Sequence, residues 1–178
     1  MSDASTTENK AETKTPDIKT KPAPALKLNF LSHGTLDCRD MEFTRRFYEE
    51  FLGLEVVQTS AISMFIRLGG PHCIAVVKAK KVGEMGLLNH NGLDVETQEE
   101  VDEAHRIATE QAEKWHLKKI SKPSLQHGTY SFYFWDVDDN CWEILTNPKG
   151  GYSWFYEQGD MTGKGHHDRS FKRPGVTI

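Results

Sequence analysis

After residue 25, the spacing of hydrophobic residues changes back and forth between the period of a strand and the period of a helix. Short apolar and alternating stretches predict strands, and two stretches with apolar residues three and four positions apart predict helices. The predicted strands cover residues 28–36, 55–60, 64–68, 73–78, 90–95 and 118–121, with two more inside 131–145. Asp40 and Thr97 are placed as helix caps, Glu100 completes a capping box with Thr97, and Gly53 ends the first helix.

The order of predicted elements is the same in both halves of the chain: a strand, a helix and three strands. The residues repeat as well, since HGTLDC from His33 aligns with HNGLDV from His90, and SMFIRLGGPHC from Ser63 aligns without a gap with SFYFWDVDDNC from Ser131. Two matches in the same order, each flanking a helix, are hard to obtain by chance. The chain is therefore predicted to be a tandem βαβββ duplication of the α+β class, with modules at about 26–80 and 88–148.

The two ends of the chain differ from this duplication in composition. Residues 1–25 contain almost no large apolar side chain and cannot offset the entropy lost on ordering, so they are predicted to be a disordered N-terminal arm. Residues 26–148 are predicted to form one domain, of a size that a single core can stabilise. In the tail, residues 149–178, Trp154, Phe155 and Tyr156 would be costly if free, so we expect the tail to act as a lid or as an arm against a second subunit.

Charge and composition narrow the classes of function. The chain has 22 Lys and Arg against 26 Asp and Glu, a net charge of −4, and no basic patch interleaved with aromatic residues, which argues against nucleic acid as a partner. No apolar run approaches the roughly 18–20 residues of a membrane span, and the N-terminus lacks the apolar core of a secretory signal. We therefore expect no membrane partner and a cytoplasmic location. The 3 cysteines, an odd number, are expected to be free thiols.

The alignment of the two halves isolates the candidate chemistry. His33 and His90 take equivalent positions on the first strand of each half, whereas Tyr133 and Glu143 have phenylalanine and alanine as their counterparts. A carboxylate on an apolar strand is costly to bury unless a cation or a donor meets it. Packing of the two half-copies about a pseudo-twofold axis would bring their first strands together. We therefore expect a cluster of His33, His90 and Glu143, with Tyr133 close by.

Two histidines and one carboxylate, bound to one face of an octahedral metal, leave positions open for substrate and O₂, and they suit Fe(II), Mn(II) or Zn(II). Each residue also has a plain structural explanation: a surface or capping histidine, a surface-facing Glu143, or a Tyr133 packed in an aromatic core. His127 lies in the loop before the strand that carries Tyr133. It is expected either to overhang the metal as a second-sphere residue or to be an ordinary loop histidine.

Residues 26–148 resemble the vicinal oxygen chelate proteins, the superfamily of glyoxalase I, extradiol dioxygenases, fosfomycin-resistance thiol transferases, methylmalonyl-CoA epimerase and bleomycin-binding proteins. The resemblance is carried by His33, the FYEEFLGLEVV run that starts at Phe47, His90, and the DVDDNCWEIL hairpin. That hairpin is similar to the family's Asp-Pro-Asp-Gly-Asn turn before a ligand glutamate, with Val137 and Asp139 in place of Pro and Gly. The resemblance implies paired βαβββ modules that form one cupped mixed sheet around a metal site.

Within this superfamily the resemblance favours the extradiol ring-cleaving dioxygenases. Glyoxalase I and the epimerase draw a fourth ligand from the position of Ala75, which cannot coordinate, and the bleomycin-binding proteins lack the His/His/Glu set. In the extradiol class a tyrosine stands ten positions before the ligand glutamate, as Tyr133 does here, and an upstream loop histidine lies near the substrate. The resemblance thus implies Fe(II), with Mn(II) or Zn(II) as alternatives, and a homodimer that cleaves a catecholic ring with O₂. The implied residues are the metal ligands His33, His90 and Glu143 and the catalytic Tyr133 and His127.

Two alternatives stay open beside the dioxygenase. One is a metal-dependent transferase, lyase or isomerase of the same superfamily, in which the metal polarises an epoxide or a phosphonate. The other is a non-catalytic small-molecule binding protein that uses the cup for an aromatic ligand. Absence of metal from the purified protein would favour the binding protein.

Overall fold

A computed structural model describes residues 24–126, 128–147, 151–152, 156 and 160. Residues up to Leu31 and residues from Ser32 onward fall into two separate units. Residues 24–31 contain no helix or strand, and Leu28 and Phe30 are exposed. The strand predicted at 28–36 is therefore wrong for residues 28–32, because alternating apolar residues form a strand only where a neighbouring strand pairs with them.

The unit from Ser32 onward contains eight strands and three α-helices among its described residues. The strands are β1 His33–Cys38, β2 Glu55–Ser60, β3 Ser63–Arg67, β4 Cys73–Lys78, β5 Asn91–Val95, β6 Ser124–Gln126, β7 Thr129–Trp135 and β8 Cys141–Thr146. The helices are α1 Met41–Arg46, continued by a π-helical turn Phe47–Phe51, α2 Gln98–Glu110 and α3 Ala112–Trp115, and a 3₁₀ turn covers Leu87–Asn89.

The strand predicted at 118–121 is wrong. Lys118 forms only an isolated bridge to Trp135, Ser121 donates a single backbone hydrogen bond to the carbonyl of Tyr133, and the strand of this region is β6. Lys119 has a φ of 50° in the left-handed region, which interrupts an extended strand.

The sequence duplication is a duplication of structure. One sheet has the strand order β1-β4-β3-β2 and the other has β5-β8-β7-β6, so the two sheets have the same topology. Phe65 pairs with Ala75 in the first sheet, and Tyr133 pairs with Glu143 at the equivalent place in the second. The predicted α+β class with tandem βαβββ modules is therefore confirmed, but the strands are hydrogen-bonded as two four-stranded mixed sheets rather than as the one sheet that the resemblance implied.

Both helix caps predicted from the sequence are present. The Asp40 carboxylate accepts hydrogen bonds from the backbone of Glu42 and Phe43, and Thr97 forms a capping box with Glu100. Gly53 follows the first helix with a φ of 69°, a conformation that glycine adopts without steric cost. These local signals fix where each helix starts and how the chain returns to the sheet.

The core joins the two modules through aromatic side chains. Phe47, on the π-helical turn, lies 6.0 Å from Trp115 of α3 between ring centroids. Tyr48 contacts Trp142 of β8 with centroids 5.8 Å apart, edge to face. All four side chains are buried, and full burial of a side chain of this kind contributes about 1.5–3 kcal/mol. Cys38, Cys73 and Cys141 are free thiols, as predicted.

The two sheets differ in how their second faces are covered. In the first sheet, Leu36 and Val76 lie on the core face, whereas Val57 on the opposite face is 61% exposed. In the second sheet the equivalent of that open face carries Tyr133 and Glu143, and both are buried. Part of the cover comes from Met85, which packs against the cluster of Tyr133, Trp135 and Cys141.

The turn between β7 and β8 is held by a fully buried carboxylate. Asp136 accepts hydrogen bonds from the backbone N–H groups of Asp138 and Asn140, both at 2.9 Å, and from Trp142 Nε1 at 3.0 Å. Asp138 in turn accepts from the backbone N–H of Arg39 at 2.6 Å and from the Thr44 hydroxyl. The acidic turn of the second module is therefore bonded directly to the first module.

Burial raises the pKa of Asp136 to about 6, although these hydrogen bonds oppose the shift. Above that pH the folded protein must keep a charge in a buried site, whereas the unfolded chain ionises near its ordinary pKa of about 3.9. As pH falls from 7 towards 4, the folded state takes up this proton first. The contribution of Asp136 to the free energy of unfolding therefore rises over that window.

We expect Asp136→Asn to lower the free energy of unfolding by about 1–3 kcal/mol at pH 7, because the amide cannot accept every bond that the carboxylate accepts. The difference from the parent should be about 1 kcal/mol larger at pH 5, where only the parent gains from protonation of Asp136. Urea unfolding at the two pH values measures both effects, with the exposed Asp160→Asn as the matched control. A difference that stays constant or narrows at pH 5 would contradict this role for Asp136.

No helix among the described residues is both long and apolar enough to cross a membrane.

Candidate metal centre

Tyr133 and Glu143 meet as direct cross-strand partners on β7 and β8. Only 6% of Tyr133 and 3% of Glu143 is exposed. The Tyr133 hydroxyl donates a hydrogen bond to Glu143 Oε1 at 2.7 Å. One oxygen of the buried carboxylate is thus held by the phenol, and the other is left for a further partner.

That partner is His90, the residue immediately before β5. Its Nε2 lies 3.1 Å from Glu143 Oε2, and its Nδ1 lies 2.6 Å from the carbonyl oxygen of Leu87. A carbonyl can only accept, so Nδ1 must carry the proton of that hydrogen bond. In a neutral imidazole the lone pair is then on Nε2 and faces the carboxylate. Nε2 and Oε2 can lie this close if Nε2 is also protonated or if a cation lies between them.

The segment before β5 sets the orientation of His90. The backbone N–H of Met85 donates to the carbonyl of Asp139 at 2.9 Å, and Trp135 Nε1 donates to the carbonyl of Met85 at 2.7 Å. The 3₁₀ turn Leu87–Asn89 then presents the Leu87 carbonyl to the ring. These bonds tie the histidine to the same hairpin that carries Tyr133 and Glu143.

The protonation states follow from these contacts. The hydrogen bond with Glu143 raises the pKa of His90, and burial opposes the rise. Burial works to raise the pKa of Glu143, but the bonds from His90 and Tyr133 outweigh it and lower the pKa. Burial, and then the bond to Glu143, raise the pKa of Tyr133. When no other cation is present, these contacts favour an imidazolium and a carboxylate beside a neutral phenol.

Two further residues shape the space around the carboxylate and were not singled out from the sequence. Ser131 is buried on the same face of β7 as Tyr133, and among the described residues its hydroxyl has no hydrogen-bond partner. Gly92 pairs with Glu143 across β5 and β8, and a Cβ there would lie 3.0 Å from the Leu145 side chain and 3.8 Å from Glu143 Oε2. The sequence signal was in the alignment of the two halves, where Gly92 stands at the position that Thr35 takes in the first half.

His33 is not part of this group within one chain. It begins β1, is exposed, and its Nδ1 lies 3.1 Å from the Ser32 hydroxyl. In the part of the chain that the structure describes, no three His, Cys, Asp or Glu side chains lie close enough together to hold a metal ion. The structure thus brings together His90, Glu143 and Tyr133, and the ligand role of His33 stays a prediction. The predicted catalytic His127 lies outside the described residues.

The strands beside the two histidines occupy equivalent places. β1 and β5 each stand at one end of their sheet, and each is paired on one side only, with β4 and β8 respectively. Among the described residues, no strand pairs with the other side of either edge strand, although the carbonyl of Asp37 in β1 accepts a hydrogen bond from Asn140 Nδ2 at 3.1 Å. Of the predicted tail contacts, Tyr156 is 88% exposed and so is not packed within the chain, while Trp154 and Phe155 lie outside the described residues.

Comparison with known proteins finds likeness in structure only. No family model and no curated protein matches the sequence. A possible glyoxalase from Bacillus cereus is 22% identical, with a TM-score of 0.55 over 65% of this chain and 97% of that one. The fosfomycin resistance protein FosX from Listeria monocytogenes is 25% identical, with a TM-score of 0.54 over 68% and 95%. FosX from Mesorhizobium loti is 26% identical, with a TM-score of 0.50 over 68% and 94%.

Proposed function

We propose that this chain, which has the paired βαβββ fold of the vicinal oxygen chelate proteins, is a metal-dependent enzyme acting on a small oxygen-containing molecule. His90 and Glu143 of one copy and His33 of a second copy would hold the metal. The observation that carries the proposal is the approach of His90 Nε2 to Glu143 Oε2, which lie 3.1 Å apart with only 29% and 4% of the two side chains exposed. The fosfomycin resistance and glyoxalase neighbours support an enzyme over a passive binding protein.

The donor set fits a divalent metal ion such as Mn(II), Zn(II) or Fe(II). The hydrogen bond of Nδ1 to the Leu87 carbonyl directs the Nε2 lone pair towards the carboxylate, which is the second-sphere arrangement typical of histidine ligands. The pKa of Glu143 is lowered, so its carboxylate is charged and ready to bind at neutral pH. A bound divalent ion would supply Lewis-acid polarisation of an oxygen atom of the substrate.

The remaining groups of the site position the ligands. The Tyr133 phenol keeps its proton, because its pKa is raised. It uses that proton in a hydrogen bond to Glu143 Oε1 rather than in one to a substrate. It thereby fixes the rotation of the carboxylate and leaves Oε2 free to bind. Burial of Glu143 keeps bulk water away from the charged group, which strengthens its interaction with a cation.

A second copy of the chain is proposed as the source of His33. The histidine is exposed at the edge of the first sheet, next to a face that carries the exposed Val57 and partly buried Phe65. Within the part of the chain that the structure describes, the edge strands β1 and β5 each pair with another strand on one side only. A symmetric pair of chains could place β1 of one copy beside β5 of the other and so bring His33 to the His90 and Glu143 of its partner.

The extradiol dioxygenase predicted from the sequence is the second candidate. Tyr133 and Glu143 stand as cross-strand partners, which agrees with the spacing that suggested it, and two histidines with one carboxylate leave room for O₂ and a catecholate on iron. The bond of Tyr133 to Glu143 favours the first candidate, since it occupies the phenol that the dioxygenase would use on its substrate. The structural neighbours named above include no dioxygenase.

Elemental analysis of the purified protein, followed by assays, tests these candidates together. We expect about one divalent metal ion per chain, because a closed pair of copies would hold two equivalent sites. With catechols under air, the metal-loaded protein should form no yellow ring-cleaved product. A metal-free protein that also fails to bind added Mn(II) or Zn(II) would contradict the proposed function. Iron content with ring cleavage would establish the second candidate instead.

A further inference from the structure

An open cavity of about 330 Å³ lies on the first sheet, away from the centre described above. Its walls are formed by residues of β2 and β3, by the turn between β3 and β4, and by the first residue of β4. They are Glu55, Val56, Val57, Phe65, Ile66, Arg67, Pro71 and Cys73. The volume is at the lower end of the range that small-molecule sites occupy.

The cavity shares its sheet face with His33. Strand pairing aligns His33 with Cys73 across β1 and β4, and Arg67 with Glu55 across β3 and β2. Phe65, which also lines the cavity, lies two residues before Arg67 and therefore on the same face. A ligand in the cavity would consequently lie on the same side of the sheet as His33. It would be one strand away from that histidine, because Cys73 lines the cavity and pairs with His33.

The charges that line the cavity cancel each other. Arg67 donates from Nε and from Nη2 to the same oxygen of Glu55, at 3.0 and 2.8 Å. The other described lining residues are apolar apart from the Cys73 thiol. A phosphonate or phosphate held here would need a free cation or a set of converging N–H donors, and the Arg67 guanidinium is already committed to a carboxylate.

We propose that this cavity receives the uncharged, apolar part of a small substrate, such as an aryl or branched alkyl group, while the reactive oxygen reaches the centre to which His33 contributes. The inference rests on the proposed function, because it takes His33 to be a ligand. Under this inference the substrate of this chain is not strongly anionic. The paired charges of Glu55 and Arg67 at the rim would tolerate a neutral polar group but give no net attraction to an anion.

Two ligands with the same phenyl body test the class of substrate: neutral 2-phenylethanol and dianionic 2-phenylethylphosphonate. Each is titrated into full-length, ¹⁵N-labelled, metal-free protein, so that coordination of the phosphonate to a metal ion does not enter the comparison, and amide shifts report the place and strength of binding. We expect 2-phenylethanol to shift the amides of Phe65 and Cys73 and to bind at least about tenfold more tightly than the phosphonate. Zinc content is measured separately, after a second aliquot of the same protein has been loaded with Zn(II).

Val57→Asp places a charge against the apolar wall and should weaken 2-phenylethanol binding by about tenfold or more. Ile62→Asp, at an exposed isoleucine in the turn between β2 and β3 of the same sheet that does not line the cavity, is the matched control and should change nothing. Val57→Lys provides a second variant if the aspartate variant does not fold, and it should weaken the alcohol while strengthening the phosphonate.

Equal or tighter binding of the phosphonate by metal-free parent protein would overturn this inference and leave the proposed function standing. Unchanged affinity of a folded Val57→Asp or Val57→Lys variant for 2-phenylethanol would also overturn it. Failure of the parent protein to hold zinc would instead overturn the proposed function, and that result is read from the metal content and not from the titration.

Discussion

Glu143→Gln is expected to lower the affinity for divalent metal by more than about 100-fold, since loss of a mere partner of a metal ligand already costs about 10–100-fold. The glutamine has the same shape, so the bond that Tyr133 donates to Oε1 can persist. What changes is the negative charge that faces His90 Nε2 from 3.1 Å. Activity that depends on the metal should fall with its occupancy.

Metal content after dialysis against a competing chelator measures this effect. Glu103→Gln is the matched control, because it makes the same chemical change at an exposed carboxylate that is paired with Arg106. That control should keep the metal content of the parent. A Glu143→Gln variant that holds its metal as tightly as the parent would remove Glu143 from the ligand set.

Removal of metal from the parent gives a second view of the same pair. Without the cation, His90 and Glu143 form an ion pair in which the pKa of His90 is raised and that of Glu143 is lowered. A metal ion displaces the proton on Nε2, so metal affinity should fall as pH drops through the raised pKa of His90. Metal affinity therefore falls as pH drops, whereas the contribution of Asp136 to the free energy of unfolding rises, because the buried Asp136 carboxyl favours the folded state when it is protonated.

The half of the site that lies in one chain could be predicted from the sequence because it is built on strand pairing. The two strands predicted within 131–145 carry Tyr133 and Glu143, and the structure pairs these residues directly across β7 and β8, with both side chains on one face. A carboxylate among Cys141, Trp142 and Leu145 required a donor or cation, and the structure supplies His90 and Tyr133.

Other features depend on local backbone geometry that residue patterns do not encode. The Leu87 carbonyl reaches His90 Nδ1 only because a single 3₁₀ turn precedes β5. The last edge strand lies at Ser124–Gln126 rather than at 118–121, since Lys119 takes a left-handed conformation that is uncommon for lysine. The exposed position of Leu28 and Phe30 likewise follows from the lack of a pairing strand, which apolar alternation alone cannot reveal.

The position of His33 could not be predicted from the alignment, although the equivalence of the two histidines was correct. Pseudo-twofold packing of two modules can occur inside one chain or between two copies, and the sequence is the same in both cases. In one chain the aromatic contacts of Phe47 with Trp115 and of Tyr48 with Trp142 join the modules. His33 is left exposed on the other face of the first sheet.

Pairing two differently disabled chains separates these cases. In a heterodimer of His33→Ala with Glu143→Gln, a site shared between copies would still find an intact His33 on one chain and an intact His90 and Glu143 on the other. One of the two sites is then whole, and we expect about one metal ion per heterodimer. If all three ligands came from the same chain, neither site would be whole.

The reciprocal control pairs a wild-type chain with a chain that carries both His33→Ala and Glu143→Gln. Each shared site would then lack one ligand, so that heterodimer should hold no tightly bound metal. Sites formed within one chain would instead leave the wild-type copy intact. The two heterodimers therefore give opposite results under the two arrangements, and neither result depends on knowing the substrate.

The most direct test of the shared centre is the metal content of these two heterodimers, each isolated through different tags on its two chains. The shared site predicts about one metal ion in the pair of single variants and none in the pair of wild type with double variant. The opposite outcome, with metal in the second pair and none in the first, would contradict it.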